Sequence, residues 1–282
     1  MAIAVQATST TGFANRDPIS ITKPTGTVDG DFLLAFIAWE GAATIDSVPA
    51  GWTELQSVDE PGGDSLSIYW KQASSEGASW SWGFTASQEC FGGALRIDGQ
   101  VPTDPTDVDN EATVTDGNSP SWANTITPTY ADSLIVMAII ANQHSSEGVS
   151  AYAIATDNPT WTEQFEIYEG SIQFSLAVAT AVRSAKTATG NSSATLAGTA
   201  GVDSACILFS ITAITSVTVS PAVVDLTATI IEPAVTAGAT VTIASPVDLT
   251  SSIQAPTITT ADSKITSQDK STASTIVNQD KS

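Results

Sequence analysis

Basic residues are scarce in this chain. Nine Lys and Arg stand against thirty Asp and Glu, a formal net charge of -21. A nucleic-acid phosphate backbone would be repelled, and no basic patch is visible, so nucleic acid is excluded as a partner. An anionic membrane surface is disfavoured for the same reason. The single histidine, His144, lies in the polar text ANQHSSEG. A catalytic triad needs a histidine beside a nucleophile and an orienting acid, and no GxSxG elbow accompanies it. One His and two distant Cys do not make a zinc site. Cys90 and Cys206 sit in apolar, strand-like text and are expected as reduced core thiols, not a disulfide framework. No phosphate loop or dinucleotide fingerprint occurs. No apolar run approaches the roughly twenty residues that span a bilayer as a helix. The opening MAIAVQATSTTGFANRD has no basic n-region and no long apolar h-region, so a secretory signal is not expected. The product is then expected to stay where it is made, unless lysis or a specialised exporter releases it.

Aromatic residues are missing from Thr212 to Ser282, and Gly238 is the one glycine there. This places a boundary near Thr212–Ser216. Before it the text is strand-rich. SLSIYWK puts Leu66, Ile68 and Trp70 on one face. SWSWGF does the same with Trp80, Trp82 and Phe84, and SIQFSLAVAT with Ile172, Phe174, Leu176 and Val178. Such alternation predicts half-buried antiparallel strands. Turn signals separate them: TGTVDGD, VPAGW, EPGGD, TDGNSP and DNPTW. No segment holds a helical period for three turns. Many short strands between Gly/Pro turns predict a sandwich or barrel.

The pattern is written twice. GDFLLAFIAW returns as ADSLIVM, pairing Asp31 with Asp132. Trp52-Thr53-Glu54 returns as Trp161-Thr162-Glu163. Ser65–Lys71 pairs with Ile172–Val178, and GGALRI with SACILFSI. The first of these strands is apolar on both faces, as a strand inside a packed sheet should be. The expectation is an internal duplication in which two similar halves share one two-layered core, with two separate small sandwiches as the alternative.

The remainder repeats on a shorter period. VVDLTATIIEP returns as PVDLTSSIQAP, and ITSQDKS as IVNQDKS. Units without large side chains bury little alone, so order requires stacking or oligomerisation. A flexible Thr/Ser-rich stalk is the plainer alternative.

Carboxylates are the only abundant reactive groups. A glycosidase needs two that face each other across a cleft, and nothing distinguishes Glu40, Glu54, Glu163 or Glu166 from solvated acids. The densest acidic run, Asp104, Asp107, Asp109 and Glu111, is expected as a solvated loop, with calcium ligation as the alternative. Trp70, Trp80 and Trp82 belong to core faces. Trp52 and Trp161, at matching places, are expected as repeated structural plugs. Trp122, in SPSWANT, is the one tryptophan expected as a surface contact.

The order GDFLLAFIAW, VPAGWTEL, SIYWKQAS, ASWSWGFTAS, GGALRIDG and VPTDPTD resembles a β-sandwich module of bacteriophage virion proteins and bacterial surface proteins. The resemblance covers roughly residues 3–213. The PAVVDLTATIIEPAVT text is similar to Val/Thr-rich repeats of phage structural proteins. The resemblance supplies no catalytic residue. The second half departs from the Pro-x-Gly-Trp turn, with Asn158-Pro159-Thr160-Trp161 in its place.

The expected fold is all-β. A jelly-roll-like antiparallel β-sandwich with internally duplicated halves covers residues 1–212. A Val/Thr-rich β repeat segment covers 213–263. A QDKS-repeat tail covers 264–282, either disordered or ordered only on assembly. The resemblance implies a non-enzymatic virion structural protein of the capsid-decoration or head-fibre type. It would be made in the host cytoplasm and located on the virion, with its C-terminal repeats used for attachment or oligomerisation. The partners would be other virion proteins, capsid or fibre, and further copies of the chain, a threefold arrangement among them. The alternative is a carbohydrate-binding adhesin or tail-fibre module with a host glycan as partner. A glycan hydrolase is the third class. No catalytic, cofactor-binding or metal residue is assigned.

Overall fold

The computed structural model describes residues 3–213, apart from 62, 101–105, 115, 116, 118, 143–147 and 198–201. Beyond these it describes 241–242, 264–268 and 273–277. The chain divides into two compact units, Met1–Val217 and Thr218–Ser282, and every described element is a β-strand.

Among the described residues, the larger unit holds sixteen strands in two sets of eight. The first set is β1 (Ala4–Arg16), β2 (Ile19–Thr22), β3 (Phe32–Glu40), β4 (Ile45–Ser47), β5 (Thr53–Asp59), β6 (Asp64–Gln72), β7 (Ser79–Phe84) and β8 (Gln88–Asp98). The second is β9 (Thr106–Val114), β10 (Ser121–Trp122), β11 (Ser133–Asn142), β12 (Val149–Ile154), β13 (Thr162–Glu169), β14 (Phe174–Arg183), β15 (Ser192–Leu196) and β16 (Asp203–Ile211). The first half forms a five-stranded sheet, β1-β8-β3-β6-β5, and a three-stranded sheet, β2-β7-β4. The second forms β13-β14-β11-β16-β9 and β10-β15-β12. Adding eight to each strand number of the first half gives the strand order of both sheets of the second, the large one read from its other edge. All these pairings are antiparallel, and the connectivity is that of a jelly roll. The duplication expected from the sequence is therefore present in the topology.

Four layers result. In the first half, Leu33, Ile37, Trp39, Trp80, Trp82 and Phe84 fill the space between its large and small sheets. Trp122, Ile135, Met137, Ile139 and Leu208 do so in the second. A third core joins the halves. Phe32, Leu34, Phe36, Leu66, Ile68, Phe91 and Leu95 of one large sheet meet Leu134, Val136, Ile140, Phe165, Phe174 and Phe209 of the other. Phe36 meets Phe165 edge-on at 5.9 Å, and Phe91 lies 4.8 Å from Phe174. Each half thus closes its own small sandwich, and the two sandwiches share a core. The expected single two-layered core is corrected accordingly. So is the half-buried reading of SLSIYWK. Its Ser65, Ser67 and Tyr69 are buried as well, because β6 lies in an inner layer with a sheet on each side. SWSWGF, in an outer layer, buries Trp80, Trp82 and Phe84 and exposes Ser79 and Ser81.

The structure also corrects the alignment of the halves. Gly30 and Asp132 both adopt positive φ, 95° and 58°, in the turn that leads into a strand. Asp132 is therefore the counterpart of Gly30, not of Asp31. Asp tolerates this region better than most non-glycine residues. The one-residue change decides every face, because strand side chains alternate with period two. With Gly30 on Asp132, Phe32, Leu34 and Phe36 fall on Leu134, Val136 and Ala138, all in the shared core. Trp52 and Trp161 do correspond, and the same β-bulge follows each, at Glu54/Gln56 and Glu163/Phe165. The bulges and cross-strand pairs place Ser65 on Ser175, not on Ile172. Ile172 precedes β14.

The two large sheets are related by a local two-fold running along the strands. β1 lies against β13, and reciprocally β5 lies against β9, the pattern of a two-fold contact. Both halves therefore direct the starts of β3 and β11 to one end of the body, called here the upper end. Ile3–Val5 share a cleft there with Leu134 and Thr180–Arg183. Gln100, just past β8, bridges Ala213, just past β16. Close approach of the sheets uses Gly93, where an added Cβ would lie 2.6 Å from the Phe165 ring.

In the smaller unit, β17 (Val241–Thr242) pairs parallel to β18 (Lys264–Gln268). β18 forms an antiparallel pair with β19 (Ala273–Val277), Ile265 opposite Ile276. The remaining expectations for residues 213–263 and 264–282 lie outside the described residues.

Candidate functional site

The upper end gathers turns that are pinned by charge. In the turn before β3, the Asp31 carboxylate accepts from the Val28 amide at 2.8 Å and from Arg96 Nε at 2.7 Å. Lys71, at the end of β6, pairs with Glu76 at 2.7 Å. Glu76 also accepts from the Ser74 amide and from Trp80 Nε1, at 2.9 and 2.6 Å. Burial pushes its carboxyl upward, but these hydrogen bonds and the Lys71 charge hold it below the usual range. The Lys71 ammonium lies 5.8 Å from the Trp52 ring centroid, so the first plug is packed below a cation. Its counterpart Trp161 is half-buried and donates to Asn158 Oδ1 at 2.9 Å.

A cleft of about 700 Å³ opens at this end between β1 of the first half and β13–β14 of the second. Asp157, Gln164, Thr180, Val182 and Arg183 are on its walls. The Arg183 guanidinium is buried. Its Nη1 donates to the carbonyls of Ala185 and Thr187, its Nη2 donates to Thr187 Oγ1, and Asp157 lies 3.7 Å away. Burial lowers its pKa, and Asp157 opposes this. Arg183 thus ties the loop after β12 to the loop after β14 and shapes the cleft wall.

The opposite, lower end concentrates buried carboxyls. Glu40 and Asp64 are cross-strand partners on β3 and β6. Asp64 is 1% exposed, and neither of its carboxyl oxygens has a hydrogen-bond partner. Burial, then the Glu60 and Glu40 charges, push its pKa up to about 8. Burial also raises Glu40, as does its shared hydrogen bond with Glu89. With its pKa near 8, Asp64 holds its proton at neutral pH. Among the described residues, no group of three His, Cys, Asp or Glu is placed to hold a metal ion.

The remaining sequence candidates fall as follows. His144 and Asp104 lie outside the described residues. Glu54 and Glu163 occupy equivalent positions, but each faces the outer layer of its own half, toward Tyr69 and Tyr152 respectively. Glu166 accepts from the backbone amides of Gly148 and Val149 at 3.0 and 3.2 Å. These carboxylates are thus not a pair across a cleft. Asp107, Asp109 and Glu111 are in β9, not in a solvated loop. Asp107 accepts from the Thr129 amide and Ser210 Oγ, and Glu111 from Gln56. Burial, then Glu111, raises the Asp109 pKa.

Trp122 is the clear correction. It is 0% exposed, in β10, inside the second-half core. The segment around it alternates strictly, with Pro120, Trp122, Asn124, Ile126 and Pro128 buried and their neighbours exposed. Asn124 accepts from Ser192 Oγ at 2.6 Å and donates to the Cys206 carbonyl at 3.3 Å. That period-two spacing was legible in the sequence, and the polar neighbours hid it. Cys90 and Cys206 are free and buried. Burial pushes their thiols up to about 11 and about 12.

No family model, no curated protein and no solved structure matches the chain.

Proposed function

We propose that this chain is a non-enzymatic bacteriophage virion structural protein of the capsid-decoration or head-fibre type, with its C-terminal repeats serving attachment or oligomerisation. One observation carries the reading. A body whose large side chains are spent on three packed cores is followed by a separate compact unit. Among the described residues, that unit holds one small sheet, β17-β18-β19. A small sheet leaves two edges open to strand pairing with another chain. The order of motifs quoted above supports the phage assignment, and the net charge of -21 favours solubility at high local concentration. In this reading the protein is made in the host cytoplasm and resides on the virion, bound to other virion proteins and to copies of itself.

The test is deletion of residues 214–282. The body should stay folded, with an unchanged far-UV spectrum, and should no longer enter particles or oligomerise. Full decoration of particles by the truncated protein would remove the assignment of attachment to the repeats. The upper cleft favours the alternative, a glycan-binding adhesin. Its walls offer Asp157, Thr160, Gln164 and Thr180 as polar partners. A glycan array with the full chain and with Gln164→Ala decides it.

A further inference from the structure

Three carboxyls form a row across neighbouring strands at the lower end of the first half. Glu40, at the end of β3, is the cross-strand partner of Asp64, at the start of β6. On the other side of Glu40, Glu89 adjoins Cys90, the β8 partner of Trp39, and shares a hydrogen bond with Glu40. Ala38, Leu66 and Phe91, each two residues along the same strands, belong to the shared core. Strand side chains alternate, so all three carboxyls point to the face that bears this core, at its lower rim. Like charges directly opposite one another destabilise a sheet, and this row sets them side by side twice. Glu60, in the turn before β6, accepts from the Asp64 amide at 2.9 Å and adds its charge.

The innermost member of the row is unpartnered. Asp64 is 1% exposed, and neither of its carboxyl oxygens has a hydrogen-bond partner. Oε2 of Glu40 is also buried without one. Buried carboxyl oxygens are ordinarily satisfied, and orphaned ones point to a ligand. The charges that act on Asp64 are both acidic, Glu60 and Glu40. Arg16, opposite Gln88, gives its Nη2 to the Gly12 carbonyl at 2.6 Å.

The second half shows that the fold does not require such a row. With Gly30 on Asp132 and Ser65 on Ser175, Glu40 falls on Asn142 and Asp64 on Phe174. Glu89 falls on Asp203, the cross-strand partner of Asn142. Phe174 is buried in the shared core. The same three strand positions therefore close the upper half's counterpart of this rim with one phenyl ring, one amide and one acid.

Three carboxylates suit a hard cation. Calcium takes about six to eight oxygen ligands in flexible geometry. Opposed side chains on neighbouring strands start about 5 Å apart, which lets Glu40 serve as the middle ligand. Glu40 and Glu89 are half-buried, so the row is open to solvent on that side. With Asp64 protonated, no three of the described acidic groups surround one point. Closing on a cation requires rotation of these side chains and release of the Asp64 proton to solvent.

We infer that Glu40, Asp64 and Glu89 form a calcium site at the lower rim of the shared core, with Glu60 adding charge and water completing the shell. The site does not depend on the virion reading.

The test uses calcium chloride and the full chain, first freed of metal with EDTA. Equilibrium dialysis and urea unfolding at pH 8 compare wild type, Asp64→Asn, Glu89→Gln and Asp203→Asn. Magnesium, which demands stricter octahedral geometry, controls for diffuse screening of a chain of net charge -21. Wild type should bind one calcium per chain and unfold at higher urea in calcium than in EDTA or magnesium. Asp64→Asn should bind at least about tenfold more weakly, which corresponds to about 1.4 kcal/mol. Glu89→Gln should show the same loss and keeps the test valid should the first variant perturb folding. Asp203→Asn, at the matching position of the second half, should bind as wild type does. Calorimetry in two buffers of different protonation enthalpy should show proton release as wild type binds. Absence of calcium binding by wild type overturns the inference. So do equal effects of calcium and magnesium, or equal binding by wild type, Asp64→Asn and Glu89→Gln.

Discussion

Asp64 should make the stability of the body fall as pH rises. It is 1% exposed at the start of β6, with no partner for either carboxyl oxygen. Its nearest charged influences are Glu60 and Glu40, both of its own sign. The Glu60 carboxylate is itself engaged by the Asp64 amide, at 2.9 Å. Asp64 is therefore held protonated, with a pKa raised from 3.8 to about 8. A carboxyl raised on folding binds its proton more tightly in the native state than in the unfolded one. Below about pH 4 both states are protonated and nothing is lost. Between about pH 4 and pH 8 the unfolded chain sheds the proton and the native chain does not, so stability drops with each unit. Above about pH 8 the loss is complete. At about 1.36 kcal/mol per unit, the interval corresponds to a loss on the order of 5 kcal/mol. Asp64→Asn keeps the shape and removes the titration. Urea unfolding at pH 5 and pH 9 should show variant and wild type close in stability at the lower pH. At the higher pH the variant should be more stable by several kcal/mol. Acids remote from Asp64 act on both proteins alike and cancel in the difference, and Glu60 and Glu40, which interact with it, move together with its titration. A difference between the two proteins that does not change with pH would refute the reasoning, because it would mean Asp64 ionises without cost.

Three further outcomes are expected. Trp82→Ala should cost on the order of 3–5 kcal/mol in chemical denaturation. The indole is 0% exposed between Trp52 and Tyr69, with ring centroids 5.2 and 5.9 Å away, and a loss under about 1 kcal/mol would contradict that burial. Gly93→Ala should cost about 1–3 kcal/mol by overpacking, since the new methyl would meet both Phe165 and the Ser9 carbonyl within 3 Å; a neutral change would show that the two large sheets separate readily. Cys90 and Cys206, buried and with raised pKa values, should resist alkylation at pH 8 in the native protein and react fully in denaturant, whereas rapid native labelling would show that those strands open.

Much of the fold could be read from the residues, and the reasons differ from element to element. GDFLLAFIAW is apolar on both faces, which required a layer on each side, and β3 has one. SWSWGF alternates cleanly because the outer sheet has one wet face. SLSIYWK misled because its second face carries Ser65, Ser67 and Tyr69, which read as solvent-facing. Small hydroxyls and a tyrosine fit an inner layer when neighbouring side chains cover them. The pairing of Asp31 with Asp132 matched letters, whereas the backbone matched φ. Only Gly and a few short polar residues accept that conformation, so the aspartate aligned with the glycine beside its apparent twin. A sequence comparison that asked which residue must adopt positive φ would have found the correct offset, and with it the correct faces.

The candidate sites were harder to read for a physical reason. Trp122, the one residue singled out as a surface contact, is a core residue. Its role follows from a period-two pattern five buried positions long, Pro120 to Pro128, in text that looks like a polar loop. The upper end is written nowhere as a motif. Val28, Tyr130 and Val182 are separated by as much as half the chain, and each alone is an ordinary exposed residue. What unites them is the direction of the two-fold. Had it run across the strands, the equivalent turns of the two halves would lie at opposite ends, and Val28 and Tyr130 would face away from each other. Because β1 lies on β13 and β5 on β9, while the ends of β8 and β16 meet through Gln100 and Ala213, the axis runs along the strands instead. Duplication then places every turn of one half at the same end of the body as its equivalent in the other. An apolar residue at a turn tip then has its equivalent at the same end of the body, as Val28 has Tyr130, whereas the buried carboxyls of the lower end, Glu40, Asp64 and Glu89, all belong to the first half. The shared direction of the two sets of turns is thus a consequence of how the duplicated sheets pack.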